Sequence, residues 1–192
     1  MSEFLEYPRM LWSSSAGWAR LARTRPAIAA MFLHLVLPLS LLPPLMLIHA
    51  GGHIGSIHFP SVAPWVWWSV AALFLVLELL TVPLMARLLQ TLSRSNGGTG
   101  EHRPAFTIAA VAPVPLWLSS LVLFQDSAAL ALTIPALALL GSASLVYRGV
   151  GALLDIRDEV VAAEVANITI ATGLLAWLSI LSTALIPLLI AR

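Results

Sequence analysis

Cysteine is absent from the 192 residues, which removes disulfides, thiolate metal sites and cysteine nucleophiles together and leaves the redox compartment unread. Lysine is absent too. All ten basic residues are arginine, a bias that, beside so much Ala and Leu, reads as codon usage. Charge of either sign is scarce: charged residues make up 10% of the chain, against about 25% in a soluble domain, too few to cover a water-facing surface. With a formal net charge of +1 and no dense basic run, nothing is present to hold a phosphate backbone, and nucleic acid is excluded as a partner. There is no Gly-rich phosphate loop, no Gly-x-Ser-x-Gly and no His-Glu-x-x-His. The expectation is a protein that is not an enzyme and carries no cofactor.

What fills the chain instead is apolar: 59% hydrophobic residues and a mean hydropathy of +0.93. Lipid is therefore the solvent. A bilayer core of about 30 Å needs roughly 20 apolar residues as helix, because lipid offers backbone groups no hydrogen-bond partners. Five stretches satisfy this, at 27–48, 64–85, 104–124, 128–150 and 168–190. The fold class expected is all-α, a polytopic membrane bundle of five kinked transmembrane helices. Residues 26–192 form that domain, and residues 1–25 precede it as a cytoplasmic or interfacial segment. Within the segment Leu11, Trp18 and Ala22 share a helical face, with Trp12 beside it, while Arg20 and Arg23 fall on another. Such a helix lies in the headgroup layer; the run Ser13, Ser14, Ser15 and Gly17 favours a structureless tail instead.

Breaks between spans are marked by turn formers. Gly51, Gly52 and Gly55 should end the first helix, 93–100 reads as the most flexible loop, Gln125-Asp126-Ser127 as a tight corner, and Gly149 and Gly151 as the end of the fourth helix. Nine of the ten arginines fall before the first span, between the second and third, or between the fourth and fifth. The positive-inside rule then puts the N-terminus in the cytoplasm and the C-terminus outside, in what reads as a bacterial cytoplasmic membrane. Trp65, Trp67 and Trp68 open the second span from the outer side, where an aromatic belt anchors helices. The lipid bilayer is the first partner implied; other membrane proteins or a second copy of the chain are the next.

Glu78 is the charged side chain placed deep within a span, where an ionisable group costs on the order of 3 kcal/mol and usually faces the bundle with a partner. His34 is the partner expected. It lies nine residues beyond Arg25, and Glu78 nine before Arg87, so both sit roughly 13 Å inward from one arginine shelf. The pair serves as a proton relay or ligand site, as a polar clasp between helices, or as a carboxylic acid that its surroundings hold neutral. His49, His53 and His58 cluster in the outer loop, and His49 and His53, at i and i+4, suit zinc if helical. Gly51-Gly52 between them should break that helix, and no carboxylate completes the set, so no metal is expected. The acidic segment 155–164 reads as a solvated helix start or a docking surface. Prolines at 38, 43, 44, 83, 113, 115, 135 and 187 should bend every span, and small residues such as Gly141, Ser142, Ala143, Ser144, Thr169 and Gly173 allow close helix approach.

Two motifs point further. Pro8, Trp18-Ala19-Arg20-Leu21 and Pro26 precede Val36-Leu37-Pro38-Leu39 and Pro43-Pro44; later come Ala112-Pro113-Val114-Pro115-Leu116-Trp117-Leu118 and Leu145-Val146-Tyr147-Arg148-Gly149. Together they resemble the Ypt-interacting protein (Yip) family of five-helix membrane proteins, in its short bacterial form. The resemblance implies a cytosolic N-terminus, five helices and a scaffold or adaptor that organises membrane-protein partners or local lipid. A proton-coupled carrier or small channel using Glu78 and His34 is the alternative. Eukaryotic relatives bind prenylated Rab-type GTPases, but their long N-terminal region and Asp-Leu-Tyr-Gly-Pro type motif are not seen in this sequence, so that activity is not implied.

The arginine pattern makes a direct prediction. Reporters fused after Gly98 and near Asp158 should read cytoplasmic, and those at Gly55 and after Arg192 external; a cytoplasmic C-terminus eliminates the five-span arrangement.

Overall fold

A computed structural model describes residues 14–190 apart from 54, 56, 58 and 126. The calls on Leu11, Trp12, His58 and Asp126 lie outside the described residues. The described chain is all helix and turn. A short helix α1 (Ser14–Thr24) leads into five helices long and apolar enough to cross a membrane: α2 (Ile28–Gly52), α3 (Pro64–Ser95), α4 (His102–Phe124), α5 (Ala128–Leu153) and α6 (Glu159–Ile190).

Prolines act according to their spacing. Pro38 has no N–H for the His34 carbonyl, and the chain before it widens into a π-turn over Phe32–Val36. The helix resumes, turns at Leu41, and runs from Leu42 to Gly52 through Pro43 and Pro44. α4 is similarly cut at Ala112 and Pro113 and ends as a 3-10 turn over Ser120–Phe124. By contrast α3, α5 and α6 each contain one internal proline, Pro83, Pro135 or Pro187, and continue as single helices.

Two helices outrun expectation. α3 and α6 have 32 residues each, about 48 Å at the helical rise, so both project beyond a core of about 30 Å. Their extra turns lie at the end of the bundle where the arginines gather. The acidic segment is the start of α6, with Asp158 Oδ1 accepting from the backbone N–H groups of Val160 at 2.8 Å and Val161 at 3.3 Å, an N-cap.

That Arg-rich end is tied together. Residues 93–100, expected to be the loosest loop, are instead held: Ser93 Oγ accepts from Gly100 N at 3.2 Å, and Thr99 N donates to Leu154 O at 3.1 Å. The glycines serve geometry here, Gly97 and Gly100 having φ of +76° and +61°. Arg25 and Glu101 pair at 3.4 Å across the same surface, largely exposed, where such a pair adds little. The start of α2, the α3–α4 loop and the α5–α6 connection therefore share one end, the alternation a five-span chain requires.

α1 is helical and joins the core. Trp18 and Leu21 are buried in the main apolar cluster with Ile108, Val150 and Leu154, while Arg20 and Arg23 stay exposed. Gly149 makes the seat: a Cβ there would lie 2.9 Å from Trp18 Cη2 and 3.0 Å from Ile108 Cγ1. Neither Gly149 nor Gly151 ends the helix, which continues to Leu153; Gly149 is present for contact, not termination.

A second apolar cluster lies at the opposite end, built from Trp67, Val70 and Phe74 of α3 and Ile180, Ala184 and Leu188 of α6. Trp65 and Trp68 are exposed as a belt requires, but Trp67 is buried, and Cβ atoms on Gly51 or Gly55 would fall within 2.6 Å or 2.5 Å of its ring. Helix α2 ends at Gly52, where the turn formers predict, and Gly51 and Gly55 also serve this close approach, while Gly52 meets nothing within 4 Å.

The two α5 glycines should respond oppositely to alanine. Gly149→Ala overpacks the Trp18 seat and should cost about 1–3 kcal/mol. Gly151, with nothing within 4 Å, should gain up to about 1 kcal/mol from the better helix former. Thermal unfolding in micelles checks this, and equal behaviour of the two variants would show that α1 is not docked there.

Candidate functional site

Glu78 lies on the buried face of α3, four residues after Phe74 and four before Val82. Phe74 belongs to one apolar cluster and Val82 to the other. The carboxyl therefore falls at the seam between them. There the helices enclose a cavity of about 320 Å³ whose walls come from α3, α4, α5 and α6.

Each wall has a local cause. The cut at Pro113 starts a new segment of α4 that carries Trp117 to the cavity, where it is buried. From α5 comes Ser142, inside the small-residue run after Gly141, and from α6 come Thr169, Gly173 and Trp177. Gly173 keeps space open, since a Cβ there would meet only Met85 Cε at 3.8 Å.

The polar atoms of the lining divide into two kinds. Thr81 and Thr169 donate back to their own helices, to the Leu77 and Val165 carbonyls at 2.7 Å each. Glu78 Oε2 and Ser142 Oγ are buried without a hydrogen-bond partner, the two such side-chain atoms among the described residues. Trp117 directs its indole N–H toward the Glu78 carboxyl. Glu78 and Ser142 are each 9% exposed, so water does not reach them freely.

The expected contact between Glu78 and His34 is not made. No residue of α2 lines the cavity. On α2 the inward positions are taken by Met31, Leu35 and Val36, while His34 is exposed, its Nδ1 2.9 Å from the Ala30 carbonyl of its own helix. Helical rise fixes only a position along the axis and says nothing about rotation about it, and the π-turn through His34 alters that rotation. Trp117 and Ser142 were the missed members of the site. Both stand in motifs the sequence displays, Trp117 in the Pro-x-Pro-Leu-Trp run that carries the resemblance and Ser142 in the small-residue stretch that allows close helix approach.

The outer histidines behave differently from expectation in one respect. Because the helix continues through Gly51, His49 and His53 are stacked with ring centroids 4.4 Å apart, and Phe124 approaches His49 at 4.8 Å. Among the described residues no group of three or more metal-ligating side chains forms, and His58 lies outside them. A second cleft of about 240 Å³ at the Arg-rich end is lined by Arg25, Arg103 and Asp155, a mixture of charges.

A carboxyl with one buried oxygen unpartnered is a stability liability, since a buried unsatisfied group costs about 1–3 kcal/mol. In lipid-free micelles Glu78→Leu should raise stability by that amount, whereas Glu78→Gln should leave it near the parent. A marked loss in the Leu variant would mean that the carboxyl is satisfied structurally.

The sequence model of one family, the Yip1 domain, matches residues 9–180. No curated protein and no solved structure matches the chain.

Proposed function

The chain belongs to the Yip1 domain family, and from that premise we propose that this integral membrane protein is a non-enzymatic scaffold or adaptor that holds other membrane proteins, or further copies of itself, through its outward helix faces. The observation that carries the reading is how unevenly the spans are covered. The most apolar stretch of α4 is 56% buried within the bundle, but those of α5 and α6 only 17% each. These two helices turn most of their length outward.

On α5 the outward surface is not uniformly bulky. Thr133, Ala136, Ser144 and Gly151 are exposed along one side at helical spacing, with Leu137, Leu140 and Tyr147 exposed among them. Helices associate in lipid chiefly through close van der Waals fit at small residues, because tails are as apolar as leucine and give no hydrophobic drive. A face of this kind suits another helix. The projecting ends of α3 and α6 add a polar platform that the arginine distribution assigns to the cytoplasm, in a bacterial inner membrane. The carrier alternative built on Glu78 and His34 has less support, because a relay needs its second member within reach and His34 is exposed on α2.

Affinity isolation in native lipid particles tests the adaptor. A stoichiometric membrane-protein partner, or a second copy, should accompany the parent and be lost with Ser144→Trp or Ala136→Trp, while the unfolding temperature stays unchanged. Isolation of the chain with lipid alone, or an unaltered set of companions in both variants, overturns the reading.

A further inference from the structure

The cleft at the Arg-rich end shares no lining residue with the Glu78 cavity. We propose that it seats the phosphoethanolamine head of one membrane phospholipid, a zwitterion whose phosphate is held by Arg103 and whose ammonium is held by Asp155. The site is independent of any protein partner on the outer face of α5.

Opposite charges stand in this cleft unspent. Arg25 is paired with Glu101 at 3.4 Å. Arg103 and Asp155 line the same space and are both exposed in it, yet among the described residues neither makes an ion pair, with the other or with a third group. An anion alone would satisfy the guanidinium and meet the carboxylate as a like charge, and a cation alone would do the reverse. A zwitterion satisfies both. The guanidinium fork gives parallel N–H bonds to two phosphate oxygens, and a primary ammonium has three N–H groups to offer a carboxylate. The cleft measures about 240 Å³, the space of about eight waters, which accommodates a phosphate and the two-carbon arm that carries the ammonium.

The backbone holds charged side chains here at positions where glycine would be unstrained. Arg25 and Asp155, with φ of +40° and +52°, are the non-glycine residues of positive φ among the described residues, and both line this cleft. Each follows the end of a helix, α1 or α5, where the left-handed conformation ordinarily goes to glycine. Strain of this kind gathers where a side chain is needed. The frame around it is fixed: Thr99 N donates to Leu154 O at 3.1 Å, beside Asp155, and Arg25 N donates at 3.0 Å to the carbonyl of Leu21, which is buried in the main cluster. The level also suits a head group. Arg103 is the second residue of α4 and Leu153 the last of α5, so the cleft opens where spans meet the headgroup layer, and Leu21, Pro104 and Leu153 supply apolar lining for the glycerol and the first methylenes.

Thermal unfolding of the full chain in nonionic micelles tests this with three probes: dioleoyl phosphatidylethanolamine, dioleoyl phosphatidylglycerol and soluble phosphoethanolamine. The ethanolamine lipid should raise the unfolding temperature by on the order of 5 °C at saturation. The glycerol lipid should raise it by much less, because it leaves Asp155 without a cation, and so should the soluble head, which lacks the apolar contact. Asp155→Asn removes the charge but keeps a residue that tolerates left-handed backbone, so the preference for the ethanolamine lipid should vanish in a chain that still folds. Arg103→Gln, measured separately, should lose the response to that lipid, and a folding defect in one variant leaves the other as the test. Equal shifts with the two lipids in the parent, an equal shift with soluble phosphoethanolamine, no shift with any probe, or a preference that survives both substitutions overturns the proposal.

Discussion

Within hydrocarbon a peptide group has only the chain itself to bond with, and this requirement shapes every part of the molecule. It makes each crossing a helix, and it makes proline spacing the control over where helices break. One missing N–H, at Pro83, Pro135 or Pro187, is absorbed within a continuous helix. Clustered losses are not. The region of Pro38, Pro43 and Pro44 is divided by a π-turn and a bend, and the Pro113 and Pro115 pair divides α4. The second of these breaks is also what brings Trp117 to the cavity, so a backbone constraint becomes a feature of the site.

Between helices, fit replaces the hydrophobic drive that lipid cannot supply. The contacts of closest fit pair a tryptophan with glycine: Trp18 with Gly149 at one end, Trp67 with Gly51 and Gly55 at the other. Each ring needs a surface without a Cβ; the Trp18 pairing joins elements distant along the chain, and the Trp67 pairing joins consecutive ones. Two well-packed clusters result. The cavity adjoins Val82, Ile108 and Trp117 of the main cluster and reaches Ile180 of the other.

Much of the architecture was legible from hydropathy and arginine placement, because lipid imposes a length and a composition on every span. The five crossings follow from such patterns, and so does an apolar face of α1 at Trp18, which the sequence assigns to the headgroup layer and the structure seats in the core. Glycine was where the reading failed in part. The first helix does end at Gly52, but the fourth span does not end at Gly149 and Gly151: a helix in lipid keeps its backbone bonds through glycine, and at Gly51 and Gly149 the missing side chain admits an indole. The candidate site was half legible. Glu78 was visible as a charge out of place, and its depth was computable, but the face it shares with Phe74 and Val82 depends on how α3 rotates against α4 and α6. Glu78 itself marks the inward face of α3, but no periodicity in the apolar turns around it records which helices meet that face.

The docking of α1 on α5 has a consequence for how the chain is made. Trp18 emerges from the ribosome early, while Ile108, against which it packs, follows two further crossings, and Gly149 and Val150 follow three. During synthesis proceeding from the N-terminus, α1 has no seat and its indole must wait at the membrane surface. Glu78 waits as well, since the wall that carries Thr169 and Trp177 is the last to be made. Assembly thus finishes from both termini at once, with the first helix and the last closing over a middle already threaded through the bilayer.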